Sequence, residues 1–198
     1  MTSDKLEGIM VHEDIYNARP IQCANRIKSI LGLNKTKLHG RKVVAKEIDK
    51  ATGKRFLDDY HLMEACKADI FIGLMNDEKI VAVGAFSKPL LMKWENPPYE
   101  SGELVRFCTA FDTSIRGGLD KIIQHYIRTY SPDDIITYVD KEWSNGSSFE
   151  RIGFNIIGTT PELSFELLNG KRIPINGTQS EKGNIVKSQG NYKLRLKI

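Results

Sequence analysis

Residues 103–154 have the sequence ELVRFCTAFDTSIRGGLDKIIQHYIRTYSPDDIITYVDKEWSNGSSFERIGF, and this stretch decides the fold. It opens with a largely apolar run at 103–111 that predicts a strand. A second, continuous apolar run at 135–139 is of the kind that is buried in a parallel sheet. Between them, apolar residues recur on one face of a helix that Pro132 ends: Leu119, Ile122, Ile123, Tyr126, Ile127 and Tyr130. The order strand, helix, strand predicts an α/β layer structure.

The turn at 113–118, TSIRGG, joins the first strand to this helix and is called the glycine turn below. A helix N-terminus exposes unpaired backbone N–H groups, and glycines let a phosphate approach the backbone closely. Arg116 can add a charge-assisted hydrogen bond to a phosphate. The alternative is that Gly117 and Gly118 only permit a tight turn, and the spacing alone does not decide between the two.

A second motif, NGSSFERIGF at 145–154, follows the buried strand. Its pattern predicts a short helix over 147–152, capped by Asn145 or Ser147 and ended by Gly153. Phe154 is expected to be a buried anchor after that glycine. By itself, this motif requires no catalytic role.

The first forty residues predict a basic N-terminal arm that contains one helix at 21–33, stopped near Gly32. The arm continues into a basic stretch and then a predicted strand at 43–45; the basic residues are Lys35, Lys37, Arg41 and Lys42. Such a run is able to follow a phosphate backbone, and it is equally typical of a solvated face. Contact with DNA through this arm is therefore one hypothesis.

Residues 41–198 are expected to form a single domain with three layers, in which helices flank a central mixed sheet. The patterns predict a helix over 50–66, a β-hairpin with strands at 70–74 and 80–86, and an exposed loop at 94–102. They also predict three later strands and a mobile polar connection; the strands are 154–157, 163–168 and 192–196, and the connection is 176–190.

The composition of the 198 residues fits one globular domain, with 40% apolar and 27% charged residues. The net charge of +4 permits contact with nucleic acid or coenzyme A but requires neither. The cysteines are Cys23, Cys66 and Cys108, whose odd number and wide spacing favour reduced thiols in the cytoplasm. Neither a zinc motif nor a membrane-spanning run of about 20 apolar residues is expected.

The glycine turn followed by the 145–154 motif resembles the GNAT superfamily of acyl-CoA N-acyltransferases. In that family the glycine turn holds the pyrophosphate of the coenzyme, and an asparagine after the next strand contacts its pantetheine arm or supports the short helix. The resemblance implies that acetyl-CoA or another acyl-CoA is bound by Phe107, Cys108, Thr109, Ser114, Ile115, Arg116, Gly117, Gly118 and Asn145.

A closer resemblance covers nearly the whole chain. It is to the region downstream of the nuclease domain in phage homing-type endonucleases, and Mom-type DNA modification enzymes are similar at a greater distance. The segments that carry it best are 103–108, 113–118, 140–146 and 190–192. This resemblance implies a phage protein in the host cytoplasm and an association with DNA.

Two departures from the GNAT pattern bear on catalysis. Phe149 stands where many family members have a tyrosine that protonates the leaving thiolate, and Thr113 or Ser114 stands where the turn usually begins with a basic residue. The candidate acid and base groups are Glu103, Asp140 and His61, which are expected near the cleft where the sheet opens. Each has a structural alternative: an ion pair with Arg106, a cap or ion pair with Lys141 or Arg151, and a helix cap, respectively.

Two functions follow as hypotheses. The first is an acyl-CoA-dependent N-acyltransferase that acts on a nucleic-acid base or another amine. The second is a catalytically silent module of the same fold that contacts DNA. The sequence does not indicate an oligomeric state.

Overall fold

The computed structural model describes residues 9–169, 171–175 and 184–198. The strands are β1 Thr36–His39, β2 Val44–Ile48, β3 Ile70–Asn76, β4 Lys79–Phe86, β5 Leu90–Met92, β6 Tyr99–Thr109, β7 Thr113–Arg116, β8 Asp134–Asp140, β9 Asn155–Thr159, β10 Ser164–Leu168, β11 Lys171–Pro174, β12 Asn184–Lys187 and β13 Asn191–Lys197. The helices are α1 Glu13–Ala18, α2 Pro20–Ile30, α3 Lys50–Tyr60, α4 Gly118–Tyr130 and α5 Ser147–Glu150.

Eight of the described strands form a central mixed sheet in the order β2-β3-β4-β6-β8-β13-β9, with β5 paired to the start of β6. Its neighbouring strands are antiparallel except for β6 and β8, which are parallel. The parallel pairing covers only Ser101 to Leu104 of β6 against Asp134 to Thr137 of β8. Both strands continue beyond that point without pairing to each other, so the middle of the sheet opens.

Helix α4 covers one face of the sheet, as its apolar stripe predicts. Ile122, Ile123 and Tyr126 are fully buried against the strands. The Tyr126 ring stacks on Phe86 with centroids 4.2 Å apart, and its hydroxyl donates to the Ser87 carbonyl at 2.9 Å. The apolar face of α4 therefore fixes the sheet beside the point where β6 and β8 separate.

Helix α3 covers the opposite face, which confirms the predicted three layers. Phe56 and Leu57 are buried against Phe71 of β3. Gly53 allows this close approach, because a Cβ there would lie 2.3 Å from the Phe71 ring. The helix ends at Tyr60, earlier than predicted, because Asp58 Oδ1 accepts the Ala65 N–H at 2.8 Å and draws the chain into a turn.

The described part of the N-terminal arm, residues 9–40, lies on this three-layer body. Helix α2 ends near the predicted glycine, since Gly32 has φ +74°. Strand β1 was not predicted; it pairs in parallel with β7, which lies within the glycine turn. No sequence pattern indicates β1, because three of its four residues are exposed and polar and the strand therefore lacks an apolar alternation. The division at residue 40 stays a prediction.

The remaining expectations are met in part. The predicted β-hairpin is confirmed as β3 and β4, and β9, β10 and β13 confirm the later strands. The loop prediction for 94–102 was wrong at its end, because Tyr99–Ser101 pairs with β5. In the predicted mobile connection, 184–187 forms strand β12, which joins β10 and β11 in a small sheet, and 176–183 lies outside the described residues. None of the described helices has the length and apolar content needed to cross a bilayer.

Candidate active site

A cavity of about 550 Å³ lies where β6 and β8 separate, and it is called the cleft below. Residues 103–109 of β6 form one wall, and residues 137–140 of β8 form the other. Helix α2 of the N-terminal arm and residues 60–63, at and after the end of α3, close one side. At the last paired position of the two strands, the buried Thr137 hydroxyl donates to the Leu104 carbonyl at 2.9 Å.

Strand β6 contains a β-bulge at the point where the cleft begins. Leu104 pairs with Phe86 and Arg106 pairs with Ala85, so Val105 is an extra residue without a partner in β4. The pairing with β8 also ends at Leu104. Val105 therefore has no register partner in either neighbouring strand, and its backbone lies in the wall of the cleft. Bulges of this kind occur next to active sites, where they redirect backbone groups.

Glu103 lies in the cleft wall, one residue before the last paired position. Its backbone N–H donates to Ser87 Oγ at 3.0 Å, which fixes the strand locally. Burial raises the pKa of the Glu103 carboxyl above its ordinary value, and the nearby Arg106 and Lys193 oppose this rise. Glu103 forms no ion pair with Arg106 in the described residues, so its carboxylate can take up a proton in the cleft.

Asp140 also lies in the cleft wall, at the end of β8. Burial raises the pKa of its carboxyl, and the nearby buried Glu142 adds to the rise. The Asp140 Oδ1 accepts the Glu142 N–H at 2.8 Å, so this residue also fixes the turn after β8. Asp140 therefore has this structural contact in addition to its position in the cleft.

His61 lies in the cleft directly after α3 and is half-buried. Its Nδ1 accepts the Met63 N–H at 2.9 Å, which assigns the ring proton to Nε2. Burial lowers the pKa of His61 to about 3, and the charges of Arg106, Arg26 and Arg19 contribute. At neutral pH the ring is therefore an uncharged hydrogen-bond donor.

Two arginines of the cleft were missed in the sequence. Arg26 comes from α2 and Arg106 from β6, and both line the cavity. The Arg106 Nη1 donates to the Val105 carbonyl at 3.0 Å, whereas its buried Nε has no acceptor in the described residues. The basic character of both was visible in the sequence, but their position together depends on how the N-terminal arm packs against β6.

The predicted cofactor-binding residues divide into two groups. Phe107, Cys108, Thr109 and Ile115 line the cleft. Ser114, Arg116, Gly117, Gly118 and Asn145 are not among its lining residues. Burial raises the pKa of the Cys108 thiol to about 12, so it is uncharged at neutral pH. The cysteines at 23, 66 and 108 are all free.

The glycine turn is held by the N-terminal arm. The β1–β7 pairing runs from Thr36 opposite Thr113 to His39 opposite Arg116. Gly40 packs so closely on the turn that a Cβ would lie 3.1 Å from the Gly117 carbonyl oxygen. One edge of the turn is thus occupied by protein, and Asp120 adds a negative charge to the first turn of α4.

The 145–154 motif has mainly structural contacts. Gly146 takes the N-cap position of α5 with φ +83°, and Asn145 Oδ1 accepts the Ser147 N–H at 3.1 Å. Phe149 packs edge-on against the buried Phe154 with ring centroids 5.4 Å apart, and it also lines the cleft. The predicted anchor at Phe154 is confirmed.

The charged groups of the cleft do not form a metal centre. Within the described ranges, no three His, Cys, Asp or Glu side chains are grouped so that they could hold a metal ion. What the cleft combines is two carboxyl groups with raised pKa values, cationic donors and an unpaired stretch of backbone.

No protein-family model matches the chain, and no curated protein sequence is significantly similar to it. Among solved structures, it is similar to Naa50 of Arabidopsis thaliana in complex with a bisubstrate analogue, CoA-Ac-MVNAL: the identity is 11%, the likeness covers 79% of this chain and 99% of that one, and the TM-score is 0.50. The ribosomal-protein-S18-alanine N-acetyltransferase of Escherichia coli is 12% identical, with 79% and 94% covered and a TM-score of 0.49. The strand order around the cleft, together with the likeness to Naa50, shows that this chain has the fold of the GNAT acetyltransferases.

Proposed function

We propose that this protein is an acyl-CoA-dependent N-acyltransferase whose reaction takes place in the cleft between β6 and β8. The observation that carries the proposal is the β-bulge at Val105, because it leaves the Val105 N–H without a strand partner two residues after Glu103 in the same wall of the cleft. An acyl transfer needs hydrogen-bond donors for the oxygen that becomes negative and a base for the attacking amine. The cleft offers both kinds of group.

Acyl-CoA would supply an activated thioester. The unpaired edge of β6 along Phe107, Cys108 and Thr109 suits an extended pantetheine arm, because a free strand edge offers alternating donors and acceptors. The Val105 backbone N–H is the best placed donor for the thioester oxygen in this proposal. In this proposal the glycine turn contacts the coenzyme only along the edge that β1 leaves free.

Glu103 acts as the general base in this proposal and accepts a proton from the acceptor amine. Its raised pKa moves the carboxyl towards the range in which such a base works best. Asp140 is the second candidate for this role. Phe149 cannot protonate the leaving group, but a thiolate is a weak enough base to leave without a protein acid, since thiols have a pKa of about 8.5.

Titration calorimetry with acetyl-CoA tests the binding step. Ser148 lines the cleft and is exposed on α5, whereas Glu150 of the same helix is exposed and does not line the cleft. We expect saturable binding to the wild type and to Glu150→Trp, and much weaker binding to Ser148→Trp, because the indole would occupy space in the cleft. Absence of binding to the wild type at millimolar acetyl-CoA would contradict the proposal.

A second candidate function is a catalytically silent module that binds DNA. It is favoured by the exposure of Lys35, Lys37, Arg41 and Lys42, and by the β1–β7 pairing that brings His39 opposite the exposed Arg116. Binding to a DNA duplex should weaken steeply with salt and weaken further when these four residues are replaced by glutamine. The same replacement at Lys50 and Lys54 of α3 is the control. Salt-independent or absent binding would contradict this function.

Three finer expectations remain part of the proposal. A nucleic-acid base or another amine as the acceptor, and a phage origin, are supported by the sequence resemblance. A cytoplasmic location is supported by the three free cysteines.

A further inference from the structure

Arg26 enters the cleft with unused hydrogen-bonding capacity. It lies on α2 of the N-terminal arm and lines the cavity, where burial lowers the pKa of its guanidinium and the Asp140 carboxyl opposes this fall. In the described part of the chain, its guanidinium forms neither a hydrogen bond nor an ion pair. By contrast, Lys28 on the same helix is paired with Asp112 at 2.5 Å. A guanidinium that is not needed to hold the arm is available to a ligand.

Arg106 lines the same cavity and has an unsatisfied donor. Its Nε is buried and has no acceptor among the described residues, although its Nη1 is bonded to the Val105 carbonyl. A buried charged donor without an acceptor costs about 1–3 kcal/mol or more, so such groups are usually satisfied by a ligand or water. The free donor therefore points to an anionic ligand.

His61 completes a group of three donors, because its ring proton lies on Nε2 while Nδ1 is engaged by Met63. The lowered pKa of His61 reflects burial first and then the charges of Arg106, Arg26 and Arg19, so the electrostatic potential around the ring is positive. Three carboxyl groups line the same cavity, those of Glu103, Asp140 and Asp112, and Asp112 is paired with Lys28.

We infer that the acceptor is a small amine that also carries a carboxylate or phosphate group. Arg26, Arg106 and His61 bind this anionic group, while the amino group lies near Glu103. This inference rests on the proposed acyl transfer and deepens it by naming the substrate class. A guanidinium binds both anions through the same pair of parallel N–H groups, so the two share one chemistry. The opposite charges of the cleft match an acceptor that has a cationic and an anionic end.

Acyl transfer to matched amines tests the inference. The acceptors are β-alanine against β-alaninamide, and phosphoethanolamine against ethanolamine, each with acetyl-CoA. For the wild type, kcat/KM should be higher for the anionic member of at least one pair. In Arg26→Gln and Arg106→Gln that ratio should fall by about 10–100-fold, mainly through KM, because the lost contact holds the substrate before and during the reaction.

Arg26→Lys should retain part of the preference, since it keeps the charge but loses the parallel pair of N–H groups. Arg128→Gln is the matched control, because Arg128 is exposed on α4 and does not line the cleft. A preference confined to β-alanine identifies a carboxylate site, and one confined to phosphoethanolamine identifies a phosphate site. Equal use of charged and neutral amines by the wild type, or an unchanged ratio in Arg26→Gln, overturns the inference.

Calorimetry separates this inference from the proposed function. If no amine is acetylated, acyl transfer is contradicted, and binding of β-alanine and phosphoethanolamine to the full chain is measured without acetyl-CoA. Binding that is lost in Arg26→Gln and kept in Arg128→Gln supports the anion site by itself. Absence of binding to the wild type, or equal binding to all three proteins, overturns it.

Discussion

Two regions of the stretch 103–154 use their backbone in opposite ways. In the cleft, β6 continues past Leu104 without a partner on the β8 side, and Val105 is unpaired on both sides. In the glycine turn, β7 pairs with β1 of the N-terminal arm. The first region keeps hydrogen-bonding groups free for a ligand, whereas the second uses part of them for the fold.

The difference teaches that a motif indicates a binding site only when its backbone stays free. Gly117 and Gly118 fit a phosphate turn in the sequence, yet neither lines the cleft. Helix α4, which follows the turn, also anchors the arm, because the Lys121 Nζ donates to the Gly40 carbonyl at 2.8 Å. We therefore expect substitutions in the cleft to change activity and substitutions in the glycine turn to change stability.

The largest effect is expected for Glu103→Gln. If Glu103 is the base, its loss should lower kcat/KM for acetyl transfer by about 10²–10⁴-fold, because the amide cannot accept the proton. Steady-state kinetics measures this, and Glu100→Gln is the control, since Glu100 is exposed on the same strand and outside the cleft. Full activity of Glu103→Gln would remove the cleft carboxylate from the mechanism.

The pH dependence of kcat/KM for the wild type also tests whether Glu103 is the base. A base must be deprotonated to act, so the raised pKa of Glu103 predicts that kcat/KM falls as the pH drops through a value above the ordinary range of a glutamate. Because a raised folded-state pKa favours folding at low pH, the unfolding free energy of Glu103→Gln relative to the wild type should increase from pH 4 to pH 7. A profile without an acid limb would contradict the assignment.

Asn34→Ala tests the region that belongs to the fold. Asn34 is buried, and its Nδ2 donates to the Thr113 carbonyl at 3.3 Å and to Ser29 Oγ at 3.2 Å. Its loss should lower the unfolding free energy by about 1–3 kcal/mol in urea titrations and speed amide exchange in β1 and β7. Exchange in β6 and β8 should change less. Asn155→Ala is the control, because Asn155 is exposed. Equal changes of amide exchange in β1, β7, β6 and β8 would contradict the difference between the two regions.

A smaller effect is expected for Gly117→Ala. Gly117 has φ +76°, and nothing lies within 4 Å of an added Cβ, so the cost is that of the backbone conformation alone, about 1 kcal/mol. Gly158→Ala is the control, because that site is open and its φ is not positive. Thermal unfolding measures both. A large loss of acetyl-CoA binding in Gly117→Ala with little loss of stability would instead assign the turn to the ligand.

In the folded protein, no change in the protonation of His61 is expected between pH 5 and pH 8. With a pKa of about 3 the ring stays neutral over this range in the folded protein. The unfolded chain takes up the proton first, so the stability that His61 contributes should be lost as the pH falls from the ordinary value of about 6.5 to about 3. Nitrogen chemical shifts of the imidazole measure its state. A titration of His61 near pH 6.5 would show that the ring is less buried, and its surroundings less positive, than the structure implies.

The sequence predicted those elements whose own pattern specifies them. The stripe on α4 and the apolar run of β8 are long and regular, and both lie within a residue of their predicted bounds. The end of α3 and strand β1 were missed, because the side-chain bonds of Asp58 and the pairing with β7 decide them. For the site, Glu103, Asp140 and His61 were placed near the sheet opening from their positions relative to strand and helix ends, and all three line the cleft.

The sequence by itself determined the layers of this protein, because the spacing of apolar residues fixes which face of each helix and strand is buried. Only the tertiary structure decided which backbone groups remain free. The bulge at Val105 and the pairing of β1 with the glycine turn both depend on partners distant in the chain, and no local pattern records them. The stretch 103–154 therefore fixes the fold, while the packing of the N-terminal arm, with Arg26 beside the cleft, decides where chemistry can occur.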